Sequence, residues 1–191
     1  RHGDTDGVSW VVADLTPAYT NAASGAGDFS ARSKRLRHYQ RSFVFDRRAH
    51  VIVVHDRVTT EDATFRQKWL LHSELEPELQ GPHFRIAAPH TSSGPRGVLN
   101  GKVLLPEDAS LTAIGGPGLE YFVQPGRQAE VQEFLVVMRT GEWSATESIT
   151  PSPAATLETT GDTLTLTLDG DQPLTLHLPR NMGDIQLQRG R

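Results

Sequence analysis

The stretch that decides the fold is RSFVFDRRAHVIVVHDRV, residues 41–58. It contains two runs of β-branched and aromatic residues, 41–45 and 50–58, which have the composition of β-strands. The polar link between these runs has the length of a hairpin turn. Residues 65–74 predict one more strand, joined to the hairpin by a polar link. The sequence therefore predicts that three antiparallel strands follow one another between Arg41 and His72 and form the core of the fold.

The same reading extends to the rest of the chain. Further strands are predicted at residues 10–13, 83–88, 97–105, 110–115, 120–124, 132–139, 163–168, 173–178 and 185–188. Residues 134–138 are apolar throughout, which is typical of a strand buried on both faces. Helical spacing of apolar residues is absent over any useful length. We therefore predict an all-β fold, an antiparallel β-sandwich of many short strands. It forms one domain over residues 1–191, with an optional sub-boundary near residues 125–131.

Composition excludes several classes of protein. The 191 residues carry a net charge of -4, so the chain as a whole lacks the excess of Lys and Arg that nucleic-acid binding requires. No apolar run approaches the roughly 20 residues that cross a bilayer. Cysteine is absent, which excludes disulfides and thiolate chemistry. We expect neither nucleic acid nor membrane as a partner.

One segment is basic against this background. It gathers the residues Arg32, Lys34, Arg35, Arg37, His38, Arg41, Arg47 and Arg48. Such a cluster fits an anionic partner, for example a polysaccharide with uronic acids or sulfates. The alternative interpretation is an exposed strand-and-turn face whose charges are simply solvated.

Asp56 and two histidines are the polar residues that the strand pattern singles out. Alternation places Asp56 on the same face as Ile52, and His55 on the opposite face. A buried Asp56 needs a hydrogen-bonded or charged partner, so we interpret it as a structural polar anchor rather than a catalytic carboxylate. His72 shares a face with Leu70, and we interpret it as a core histidine that donates to a carbonyl rather than as a catalytic base. The eight histidines show no His-x-His or His-x-x-x-His spacing, so we predict no metal site in this chain.

A family resemblance is carried by ordered motifs rather than by single residues. The motifs are PAYTNA (17–22), RSFVF (41–45), VIVVHDRV (51–58), KWLLHS (68–73), GKVLLP (101–106) and IGG (114–116). Together they resemble the C-terminal β-sheet region of heparinase II/III-like polysaccharide lyases. The resemblance covers about the first two thirds of the chain, and residues from Val131 onward match only as strand-rich sequence.

The resemblance implies an α/α toroid followed by a large antiparallel β-sandwich, with an anionic polysaccharide cleaved between them by β-elimination. Family members take a catalytic Asn or His and a Tyr from the toroid, and a His-x-His-x-Asp element and zinc ligands from the start of the sandwich. None of these has a match here. We therefore expect no catalytic residue and no cofactor in this chain, with any zinc site in an upstream part, and expect the chain alone to be inactive.

The function expected from the resemblance is scaffold and part of the substrate wall of such a lyase, acting on a glycosaminoglycan or alginate. The predicted substrate-binding residues are Arg37, Arg41, His55 and His72. The expected partners are an anionic polysaccharide and an upstream helical toroid of the same protein, and the expected location is periplasmic or secreted. The alternative is a non-catalytic module that binds carbohydrate or assembles through its sheet edges.

Overall fold

A computed structural model describes residues 1–20, 35–88, 97–114, 120–142 and 155–190. These residues form one short helix, α1 (Thr16–Thr20), and the strands that make up the rest of the fold. The strands are β1 (His2–Thr5), β2 (Val8–Asp14), β3 (Leu36–Asp46), β4 (Val51–Thr60), β5 (Trp69–His72), β6 (Glu78–Gln80), β7 (His83–Ala88), β8 (Gly97–Leu105), β9 (Ser110–Ala113), β10 (Glu120–Gln124), β11 (Val131–Glu142), β12 (Ala155–Thr160), β13 (Thr163–Leu168), β14 (Leu174–Pro179) and β15 (Gln186–Arg189).

The strands are arranged in three antiparallel sheets. The largest has eight strands in the order β1-β2-β3-β4-β11-β8-β7-β6. A three-stranded sheet has the order β5-β10-β9, and a four-stranded sheet has the order β12-β13-β14-β15. This arrangement confirms the predicted all-β sandwich of many short strands, and it adds a third layer to it.

The eight-stranded sheet is the middle layer because both of its faces are apolar. On one face, Val53 and Val137 belong to a cluster with the leucines of β13 and β14, such as Leu166 and Leu176. On the other face, Val54 belongs to a cluster with Trp69 of the three-stranded sheet. Each fully buried Leu or Val in these layers stabilises the fold by roughly 1.5–3 kcal/mol.

Strand β11 lies at the centre of this middle layer. It pairs with β4 on one side and with β8 on the other. Its residues Leu135 and Val137 face the four-stranded sheet, while Phe134 and Val136 face the three-stranded sheet. All four are at most 2% exposed, which confirms the predicted strand buried on both faces.

The predicted hairpin β3–β4 is present, in continuous register from Asp46↔Val51 to His38↔Thr59, with a register shift between His38 and Leu36. The predicted third strand of a meander is wrong. β5 does not pair with β4 but with β10 of another sheet, and β11 occupies the place beside β4. Residues 65–68 precede β5 and are not part of it. The pairing of β4 with β11 joins residues about 80 positions apart, and alternation along one strand carries no information about so distant a partner.

The remaining strands agree with their predicted positions to within a few residues. Strands β1, β6 and β12 and the helix α1 were not predicted. The predicted loop at residues 24–27 lies outside the described residues. Among the residues that the structure describes, no helix is long and apolar enough to cross a membrane. Residues 125–130 connect β10 with β11, and both the single domain and the sub-boundary there stay predictions.

Candidate functional site

A groove of about 580 Å³ opens on one face of the eight-stranded sheet, beside the three-stranded sheet. Strands β3 and β4 form its base. Residues 65–72, which lead into and include β5, form one side. The segment around α1 contributes Leu15 and Tyr19. The groove thus lies between residues 65–72 on one side and the α1 segment, which is hydrogen-bonded to β3 at Tyr39, on the other.

The groove is basic. Its described lining includes five residues that carry or can carry a positive charge, which are Arg35, Arg41, Arg66, Lys68 and His72. Asp56 is the acidic residue among the described lining positions. The side chains of Arg66, Lys68 and His72 are exposed. This concentration stands out in a chain whose net charge is -4.

Aromatic side chains accompany the charges. Tyr19, Tyr39, Phe65 and Trp69 all line the groove. The Arg35 guanidinium lies over the Phe65 ring at 5.7 Å from its centroid. Aromatic faces next to cationic groups are suited to sugar rings that carry anionic substituents, because the rings stack on apolar faces and the anions meet the cations.

The groove contains an ion pair whose carboxylate is buried and whose guanidinium is partly exposed. Asp56 on β4 lies directly across the strand pair from Arg41 on β3. Arg41 donates from Nε to Oδ1 at 2.7 Å and from Nη2 to Oδ2 at 2.6 Å. The Asp56 side chain is 3% exposed, whereas that of Arg41 is 40% exposed. The guanidinium thus reaches from a buried carboxylate to the groove surface.

Tyr39 completes this arrangement. Its hydroxyl donates to Asp56 Oδ2 at 3.2 Å, and its ring lies 5.8 Å from the Arg41 guanidinium. The ring also packs against Tyr19, with centroids 5.4 Å apart. Burial, followed by the charge of Asp56, raises the pKa of the Tyr39 hydroxyl far above its ordinary value. The hydroxyl therefore stays protonated and acts as a donor.

The structure brings together two of the four predicted substrate-binding residues. Arg41 and His72 both line the groove. His72 is exposed, so its interpretation as a core histidine is wrong. Their contact with a substrate stays a prediction. Asp56, the predicted polar anchor, is buried beside Arg41.

Arg37 and His55 lie elsewhere. Arg37 is outside the groove, forms an ion pair with Glu130 and donates to the Thr60 carbonyl at 3.1 Å. His55 is 1% exposed and its strand neighbours Val51 and Val53 face the four-stranded sheet. Alternation separates it from Asp56, as the sequence predicted, and this places His55 on the face opposite the groove.

His55 belongs to a second polar cluster between the sheets. Its Nε2 lies 3.6 Å from Glu133 Oε1, and Arg180 donates to both carboxylate oxygens of Glu133, at 2.8 Å and 2.6 Å. Burial alone raises the pKa of Glu133, but the neighbouring His55 and Arg180 outweigh burial and lower that pKa. This cluster connects β11 with the end of β14.

Sequence reasoning missed most of the groove. Tyr39, Phe65, Arg66, Lys68 and Trp69 were not predicted as site residues. The signal was present in the string FRQKWLLH (65–72), where aromatic and basic residues interleave. Within the described ranges, no group of three or more His, Asp or Glu residues is placed to hold a metal ion.

Comparisons with known proteins bear on the fold. The chain is similar to a crystal structure of a heparan sulfate lyase HepC mutant from Pedobacter heparinus, with a TM-score of 0.60 and 15% identity over 96% of this chain and 28% of that one. The unmutated HepC gives a TM-score of 0.57 at 15% identity over 96% of this chain and 28% of that one. A heparinase III gene product gives 0.55 at 12% identity over 99% and 26%.

The chain thus spans about a quarter of the length of these structures. No protein-family model matches the chain, and the search of curated proteins gave no significant match. At identities of 12–15% the likeness concerns the fold and not the activity. It agrees with the three antiparallel sheets described above. The chain has a heparinase-like β-sandwich fold.

Proposed function

We propose that the chain is the β-sandwich portion of a heparinase II/III-like polysaccharide lyase, and that its groove forms part of the wall against which an anionic polysaccharide lies. The observation that carries the proposal is the groove, where the cations Arg35, Arg66 and Lys68 line the same surface as several aromatic side chains. Clustered cations raise the local concentration of a polyanion and pair with its substituents. The likeness of the fold to heparinase III structures supports the same function.

Catalysis belongs outside this chain in this proposal. A β-elimination needs a base that removes the C5 proton and an acid that protonates the leaving oxygen. In the groove, Asp56 is already bound by Arg41 and Tyr39, and the raised pKa of Tyr39 opposes its use as a base. We propose that an upstream helical toroid supplies the acid and the base, as well as any zinc site. The proposed substrate implies a periplasmic or secreted protein.

Retention on immobilised polyanions tests the binding function. We expect the chain to be retained on heparin and on alginate and to be released by salt, because exposed charge pairs are screened by it. Arg66→Ala removes a groove cation and should lower the salt concentration of elution. Arg37→Ala removes the same charge outside the groove and should elute like the wild type. Equal shifts for the two variants, or no retention of the wild type, would contradict the proposal.

Enzyme turnover tests whether the catalytic groups lie outside this chain. We expect the isolated chain to produce no unsaturated uronate, measured by its ultraviolet absorbance, from heparin, heparan sulfate or alginate. A chain fused to a helical region from its own gene should gain this activity. Absorbance produced by the isolated chain would overturn the claim that the catalytic groups lie elsewhere.

The second candidate is a non-catalytic carbohydrate-binding module. The same groove favours it, since its described lining offers cations to an anion while Asp56 is already bound by Arg41. The two candidates differ in one measurement. A module of this kind binds the polymer with groove residues intact but gives no turnover in any fusion with a helical region.

A further inference from the structure

Arg41 in the groove has one occupied edge and one open edge. A guanidinium presents five N–H donors in a planar fork. Nε and one N–H of Nη2 are used by Asp56 at 2.7 Å and 2.6 Å. Nη1 has no hydrogen-bond partner among the described residues. The N–H groups of Nη1 and the second N–H of Nη2 can therefore donate hydrogen bonds to a second oxyanion in the same plane.

Asp56 and Tyr39 fix the orientation of that open edge. Asp56 holds the guanidinium through two parallel hydrogen bonds, and Asp56 itself receives the Tyr39 hydroxyl at 3.2 Å. The Tyr39 ring lies beside the guanidinium and is supported by the Tyr19 ring. An arginine side chain loses conformational entropy when it binds a ligand. Because Asp56 and the Tyr39 ring already restrict Arg41, much of this entropy is lost before any ligand binds.

The charges of Arg41 and Asp56 cancel. As a point charge, Arg41 contributes little attraction for a polyanion, because a carboxylate lies within hydrogen-bond distance on its other edge. Arg66 differs from it. Its side chain is exposed, and it supplies net charge to the groove. The two arginines therefore have different expected roles. Arg66 attracts the polyanion by its charge, and Arg41 orients an oxyanion group through hydrogen bonds.

We infer that Asp56 and Tyr39 are positioning residues that make Arg41 a directional receptor for a planar pair of oxyanion oxygens on the polysaccharide. The inference rests on the proposed function and deepens it. The shared ligand chemistry is an oxyanion with two accessible oxygens, from a uronate carboxylate or from a sulfate ester. Alginate, which carries only carboxylates, and dextran sulfate, which carries only sulfates, distinguish these two sources.

Two substitutions separate orientation from charge. Asp56→Asn raises the net charge of the groove by one, so a purely electrostatic groove should bind polyanions more tightly. The positioning argument predicts the opposite, a loss of about tenfold in affinity, which is the worth of one charge-assisted hydrogen bond. Arg41→Lys keeps the charge but removes the fork, and should lose a similar factor. Arg37→Lys, outside the groove, is the matched control and should change affinity less than about twofold, since it makes the same exchange of side chain away from the binding surface.

Titration calorimetry of the 191-residue chain with defined alginate and dextran sulfate oligomers measures these affinities, and thermal unfolding confirms that each variant is folded. Arg41 is partly exposed, so Arg41→Lys tests the inference even where Asp56→Asn fails to fold. Weaker binding of Arg41→Lys than of Arg37→Lys, on at least one polymer, supports the inference and identifies the oxyanion. Equal binding of these two variants, or tighter binding of Asp56→Asn, overturns the inference alone. A wild type that binds neither polymer overturns the proposed function as well.

Discussion

Glu133 offers a sharp test of how the four-stranded sheet is held against the middle sheet. Its carboxylate, on β11, accepts two hydrogen bonds from Arg180, which follows directly after β14. The two side chains are 15% and 24% exposed. His55 and Arg57 each lie 3.6 Å from Oε1 of Glu133. Replacement by Gln keeps the shape and one oxygen acceptor but removes the charge.

The expected cost follows from these contacts. A hydrogen bond to a charged group contributes roughly 1.5–3 kcal/mol, and breaking a fully buried ion pair costs about 3–5 kcal/mol. Arg180 retains some access to water, and Gln can still accept one hydrogen bond from it. We therefore expect Glu133→Gln to lower the free energy of unfolding at pH 7 by about 2 kcal/mol.

The pH dependence has a definite sign. The pKa of Glu133 is lower in the folded chain than its ordinary value, despite burial, because His55 and Arg180 favour the carboxylate. A group with a lowered folded pKa stabilises the fold above its unfolded pKa and loses that contribution as pH falls through the folded pKa. The stability difference between wild type and Glu133→Gln should thus be full at neutral pH and should shrink only in acid, below the ordinary glutamate pKa of about 4.3.

Urea denaturation followed by tryptophan fluorescence measures this difference. Glu130→Gln is the matched control, because Glu130 pairs with Arg37 while the two side chains are 48% and 45% exposed. Exposed pairs contribute about 0–1 kcal/mol, so the control should unfold close to the wild type. Equal effects of the two substitutions, or a Glu133→Gln cost that grows as pH falls from 7 to 4, would refute the reasoning.

Two further predictions concern the layers. Gly101→Ala would place a Cβ inside the space of the Phe84 ring and should cost about 1–3 kcal/mol by overpacking, whereas Gly97→Ala on the same strand meets nothing within 4 Å and should be tolerated. Both are read from urea midpoints, and equal midpoints would contradict the packing argument. Leu176→Ala, at a position 0% exposed, should cost about 2–5 kcal/mol, whereas Leu70→Ala, at 45% exposure, should cost less than about 1 kcal/mol. Thermal unfolding checks this order, and a reversed order would contradict the assigned core.

Local pattern predicted much of the fold. Thr-Leu alternation placed Leu164, Leu166 and Leu168 on one face of β13, and the structure buries all three. The partners of strands were less accessible. β5 pairs with β10, and β4 with β11, across long intervening segments. Such pairings depend on how three layers pack together, which no single strand's alternation encodes.

The groove was predictable only in part, for a related reason. The basic segment at residues 32–48 drew attention to Arg37 and Arg41 together, and alternation alone gives them the same face. The register of β3 shifts between Leu36 and His38, so Arg37 lies outside the regular pairing, and of the two only Arg41 lines the groove. Arg66 and Lys68 line the groove because they lead into β5, which belongs to the three-stranded sheet and packs over β4. The interleaved aromatic and basic residues at 65–72 are visible in the sequence. They lie close to Arg41 because β5 belongs to a separate sheet, whereas the sequence predicted this strand beside β4 in the same sheet.

The position of the Arg41–Asp56 pair indicates that it serves ligand binding rather than the stability of the fold. On the same face of β4, Ile52 and Val54 pack beneath the three-stranded sheet, and Asp56 follows where that cover ends. Replacing a buried ion pair by apolar residues of similar volume is often neutral or stabilising by about 1–4 kcal/mol. The double variant Arg41→Met, Asp56→Leu should therefore unfold at or above the wild-type urea midpoint while losing affinity for alginate or dextran sulfate. A double variant that unfolds more easily and binds normally would show that the pair stabilises the sheet and that other residues of the groove bind the polyanion.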